Sequence, residues 1–238
     1  MTSPERGIWL KDATHREDLA TFVERAMRLD DAAVIRLRER EGGSVVAWVS
    51  TGFDVLASRV VAGTIRPSDL SAGADALVQG LGTMDRSGHV DPGFPMDSAW
   101  RGALPPDSGF AHIDDVPARV VLNLAQRGVA LAKEHGSSHG PPVSLLDQEV
   151  LAVSSEQGDV HIPMRCVFAL TAMGFLPQSS AAGRGREERN DQDSMGLDPD
   201  TVAADEIVRV RALPAWLRID ARFGSVYRRR GDPALVLR

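Results

Sequence analysis

The 29 residues from Arg86 to Asp114 constrain the fold more than any other part of the chain: four glycines, four prolines and no sustained hydrophobic period, set between two segments of helical spacing. Connections of this length are uncommon inside compact domains, and serve as binding segments or as disordered linkers. Phe94, Met96, Trp100, Leu104, Phe110 and Ile113 carry too much apolar surface for a solvated linker. The stretch is therefore expected to be ordered and packed.

A chain of 238 residues, 43% hydrophobic and 25% charged, can bury an ample core as one large domain or two small ones. Its apolar runs, such as Cys166 to Leu170, are too short to cross a bilayer, and Met1 to Arg6 lacks a signal-peptide core. The expectation is a soluble, cytoplasmic protein.

A single cysteine, Cys166, excludes an internal disulfide and a multi-cysteine metal site, and its neighbours Met164, Val167, Phe168 and Leu170 mark it as a buried hydrophobe. Of 27 basic residues only Lys11 and Lys133 are lysines, which removes the Walker A device and most Schiff-base chemistry. The net charge of −6 opposes general phosphate-backbone affinity. The arginine-rich end from Asp205 to Arg238 can still form a local basic face.

Thr14 and Glu17 have capping-box spacing before an amphipathic helix over residues 15 to 29. Strands follow from Val34, from Val45 to Val49 after the Glu41-Gly42-Gly43-Ser44 turn, and from Asp54 to Ile65. Pro67-Ser68-Asp69 then predicts a helix through Leu70, Ala74, Leu77, Val78 and Leu81. A further helix, capped by Asp115 with Pro117 in its first turn, reaches His135. Glu149 to Ser154 and Val160 to Met164 form a hairpin, Cys166 to Met173 a buried helix ended by Gly174, and residues 207–212, 216–222 and 225–230 strands.

The fold class is thus α+β, mainly antiparallel sheet with helices packed on one face, in two halves of α-plus-meander plan. Residues 14–84 form an α-β-β-β-α unit, 85–115 a long ordered loop, and 116–238 a second α+β unit. Residues 178–200, polar and without aromatics, read as a flexible insertion in that second unit.

Candidate chemistry is sparse. His135 and His139 have metal-ligand spacing, but Gly136 and Gly140 break the helix they would need, and no metal site or cofactor is expected. His89 with Asp91 and His112 with Asp114 bracket the long loop and would make an enzyme site only if they converged. No Gly-x-Ser-x-Gly elbow, dinucleotide fingerprint or P-loop is present.

The favoured site is Asp97, Trp100 and Arg101, because an aromatic beside an arginine on a proline-stiffened loop is the mixture that interface hot spots use. Its bland alternative is a Trp100 that plugs the protein's own core while Arg101 pairs with Asp97. A nucleic-acid alternative places Tyr227 as a stacking ring beside Arg228, Arg229 and Arg230. Against it, such a run also guards a sheet edge.

The segments Trp100 to Pro106, Ile162 to Arg165, Ala169 to Leu176, Trp216 to Arg218 and Gly224 to Tyr227 together resemble a group of uncharacterised actinobacterial proteins. That resemblance implies no activity and no site residue. The sequence reading is a non-enzymatic cytosolic module that binds a protein or a second copy of itself through the central loop. Nucleic acid through the arginine-rich hairpin, or a His/Asp enzyme, are the alternatives.

Overall fold

The computed structural model describes residues 6–135, 140–155, 158–177 and 202–231. The insertion expected at 178–200 and the side chains of His135 and His139 lie outside the described residues.

Strand β1 (Gly7–Leu10) leads into helix α1 (Ala13–Leu29). The N-cap of α1 is Asp12, whose carboxylate accepts from the His15 amide at 3.1 Å, and not Thr14 as the capping-box spacing predicts. Strands β2 (Val34–Arg40), β3 (Ser44–Thr51) and β4 (Val55–Arg66) form the expected meander.

Residues 69 to 73 depart from the helix expected there. They form strand β5 (Asp69–Gly73), antiparallel to β2, and helix α2 (Ala74–Gly82) starts only afterwards. Leu70 and Ala72 fit either period, and the pairing with Leu37 and Ile35 decides for the strand.

The central segment is less irregular than the sequence suggests. It contains β6 (His89–Val90), which pairs with β1, a single 3-10 turn at Asp97–Ala99, and β7 (Ala111–Pro117), which pairs with β10 (Ile207–Leu213). Asp115 therefore sits in a strand and does not cap the helix α3 (Ala118–His135) that follows. A short α4 (Val143–Leu146) precedes the hairpin β8 (Glu149–Ser155) and β9 (Gly158–Pro163). Buried α5 (Met164–Ala172) ends, as expected, before Gly174, whose φ is +59°. Strands β11 (Trp216–Ala221) and β12 (Gly224–Arg229) complete the chain.

The two halves meet through strand pairing, β12 against β4, which gives one antiparallel order β5-β2-β3-β4-β12-β11-β10-β7. On one face α1 packs on α2 and α3 on α5, over Ile35, Leu37, Val45, Ala47, Val210, Leu217 and Ile219. The period of two then sends Val46, Trp48, Trp216 and Tyr227 to the opposite face, where they form a second apolar cluster. Among the described residues no helix covers it; the central segment does, through Trp100, Leu104 and Phe110.

Candidate functional site

Trp100 is partly buried against that second cluster, with the Arg36 guanidinium 5.9 Å from its ring centroid and its Nε1 donating to Gly102 O at 3.1 Å. It anchors the segment to the protein's own sheet. Arg101 is exposed, and Asp97 does not turn toward it: Asp97 Oδ1 accepts from the Ser71 amide at 2.7 Å while the Met96 amide donates to Ser71 O at 2.9 Å. These bonds occupy the outer edge of β5, a sheet edge that would otherwise invite pairing.

Upstream of that clasp the segment projects outward. Gly93 has φ +77°, its amide donates to Asp91 Oδ1 at 2.8 Å, and Arg6 donates to Gly93 O and, at 2.7 Å, to Ser71 O. Held between Gly93 and Pro95, Phe94 is 88% exposed and Met96 37% exposed. The sequence reading packed both residues inward; the structure corrects it. The hydrogen bonds of Gly93, Met96 and Asp97 fix the stretch at the rim of β5, with Phe94 outside and Met96 covered in part.

The other candidates are dispersed. His89 lies against Trp9 at a centroid distance of 5.1 Å on β6, whereas His112 on β7 bonds Asp115 at 3.0 Å. Asp91 and Asp114 each accept a local backbone amide. Among the described residues no three His, Cys, Asp or Glu side chains are placed to hold a metal ion. Asp115 is held by Arg209 and His112, which bring its pKa down to about 2. Cys166 is fully buried, which pushes its thiol up to about 12 and leaves no thiolate at neutral pH.

Tyr227 is buried 4.9 Å from the Trp48 ring and its pKa is raised by that burial, so it offers no stacking face to a base. The three arginines after it are each engaged. Arg228 lies 3.7 Å from Asp147, Arg229 sits over Trp216, and Arg230 donates to Leu213 O at 3.3 Å.

Sequence reasoning missed a cavity. A pocket of about 420 Å³ opens where the two halves join, walled by Phe22 of α1, by Met173, Phe175 and Leu176 after α5, and by Phe223 of the β11–β12 turn. Two guanidinium groups border it. Arg59 of β4 pairs with Asp18 at 2.6 Å, but Arg25 of α1 has no acidic partner among the described residues. Burial and the neighbouring Arg28 lower the pKa of Arg25. Its guanidinium lies directly on Gly174, where any Cβ would collide with it. No sequence signal predicts this juxtaposition, because its parts come from α1, β4, the end of α5 and the last turn.

The fold of this chain is similar to that of solved DNA polymerase sliding clamps. The chain superposes on Caulobacter crescentus pol III beta with a TM-score of 0.53 at 11% identity, covering 98% of this chain and 69% of that one. The clamp of Pseudomonas aeruginosa gives 0.53 at 11% identity over 98% and 68%, and the polymerase beta subunit of Streptococcus pyogenes 0.52 at 10% over 98% and 68%. At such identities the likeness shows the fold alone. Residues 105–233 match the family described as Domain of unknown function (DUF8185), to which the chain belongs, and residues 3–102 match Domain of unknown function (DUF8010). None of the curated proteins matches the sequence.

Proposed function

We propose that this chain is a non-enzymatic protein-docking module on a clamp-like fold, and that its docking element is the clasped segment around Phe94, Met96 and Asp97 with Arg101 at its margin. The observation that carries this is the exposure of Phe94: a large aromatic held in water by a glycine–proline turn and five hydrogen bonds loses little freedom when a partner covers it. Trp100 supports the element from beneath and is its anchor to the sheet.

The test is cross-linking from position 98, with Ser98→Cys carrying a photoactivatable maleimide, in the wild-type background and in Phe94→Ala. An adduct lost on Phe94→Ala supports docking through this segment. An adduct unaffected by it, or no adduct in the cells that make the protein, contradicts it.

Nucleic acid is the second reading, and the names of the clamp structures bring it forward. The charges of this chain favour it less. Net charge is −6, and α1 carries three acids against three arginines while α2 carries one acid and no arginine. Elution from heparin at low salt agrees with the docking reading; retention that falls steeply with salt supports nucleic acid.

A further inference from the structure

The protein carries a knob and a hole of matched chemistry. The knob is Phe94, flanked in sequence by two exposed carboxylates, Asp91 and Asp97, each of which accepts one backbone amide through Oδ1 and keeps Oδ2 for a partner. The hole is the pocket at the junction of the halves, with aromatic walls from Phe22, Phe175 and Phe223 and a half-buried Arg25 that has no acid to pair with among the described residues. A benzyl side chain fits a space of about 420 Å³, and a carboxylate beside it would pair with Arg25, which has no acidic partner among the described residues.

The two lie apart in this molecule. The segment caps the edge strand β5, and the pocket is bordered by β4, three strands away at about 4.8 Å per strand. The knob is tied to β5 and to Arg6 by the hydrogen bonds that hold the clasp. Satisfying both therefore takes two copies.

We propose that a second copy of this chain inserts Phe94 into the pocket between α1 and the β11–β12 turn, with Asp91 or Asp97 paired to Arg25. This rests on the docking reading above and names the partner. Knob and hole are different surfaces, so the contact is heterologous: each molecule keeps one free knob and one free hole, and association runs head to tail toward a closed ring or an open chain. An interface centred on one aromatic is weak, and the assembly grows with concentration.

The experiment is sedimentation velocity of the full chain over a concentration series, for wild type, Phe94→Ala, Arg25→Glu and Thr21→Trp. Phe94→Ala removes the knob and keeps the hole. Arg25→Glu opposes the incoming carboxylate, and Thr21→Trp, at an exposed position on the pocket rim, fills the hole if Arg25→Glu fails to fold. The expected result is concentration-dependent assembly of wild type, at least about tenfold weaker in each variant. An equimolar mixture of Phe94→Ala with a hole variant then forms a one-to-one dimer and nothing larger, because one intact knob and one intact hole remain.

A wild type that stays monomeric, or a mixture that forms no dimer, overturns the self-docking inference. Assembly lost in Phe94→Ala but retained in both hole variants overturns the pocket assignment and leaves docking through the segment standing. Loss of the Ser98 cross-link dependence on Phe94, by contrast, removes the docking reading itself.

Discussion

At the scale of single residues, arginines do the joining that lysines do in other chains. Arg36 holds Asp69 through two bonds of 2.8 Å and lies over Trp100, Arg218 contacts both Phe110 and Tyr227 within 6 Å while bonding Asp220 at 2.7 Å, and Arg209 grips Asp115. The planar guanidinium stacks and bonds at once, which an ammonium cannot do. Arg165 is the extreme case: 7% exposed, it donates to Phe53 O at 2.8 Å and pairs with Asp147. Asp147→Ala leaves that cation with the exposed Asp54 at 3.6 Å as its acidic neighbour, and stability should fall by about 2 kcal/mol in urea unfolding, the low end for breaking a buried pair because Asp147 itself is half exposed. Asp115 gives a pH signature. Its folded pKa of about 2 lies below the unfolded value, so its contribution is present above about pH 4 and disappears as pH falls toward 2. Asp115→Asn should flatten that part of the acid-unfolding curve; an unchanged curve would place the proton uptake elsewhere. None of these pairs was legible in the sequence, since residues such as Arg36 and Asp69 meet only through strand register.

At the scale of elements, the meander, α1, α3, the 149–163 hairpin, α5 and the last three strands were legible because each has a long enough run of one period between glycine or proline signals. The sequence misread residues 69–73, where five residues with a small apolar set suit a strand and a first helical turn alike, and 111–117, where alternation over Ile113 and Val116 was submerged in the irregular stretch before it. The expected weakness of α2 from its glycines has a structural reason at one of them. A Cβ at Gly80 would stand 2.0 Å from Asp91 O, whereas a Cβ at Gly82 meets nothing within 4 Å. Helix propensity alone favours alanine at both by about 1 kcal/mol. Gly82→Ala should therefore raise the thermal midpoint. Gly80→Ala should lower it, because the Asp91 backbone would have to leave the helix it packs on. The same sign at both positions would mean that the segment does not rest on α2.

At the scale of the whole molecule, a sheet with apolar residues on both faces needs two covers, and the described residues supply helices for only one of them. The central segment is the second cover, which explains why a glycine- and proline-rich stretch carries so many large apolar side chains. Its length and greasiness were legible at the start; the division of labour within it was not, because sequence cannot tell which aromatics find the sheet and which are left outside. Trp100, Leu104 and Phe110 are spent on the protein's own surface, and Phe94 is not. That division is the central claim, and parallel urea unfolding of Trp100→Ala and Phe94→Ala tests it most directly. Trp100→Ala should lose about 2 kcal/mol, reduced from a full core truncation by its partial exposure, and Phe94→Ala less than about 0.5 kcal/mol. Losses of equal size, or a larger one for Phe94→Ala, would contradict a segment that packs through Trp100 and presents Phe94 to a partner.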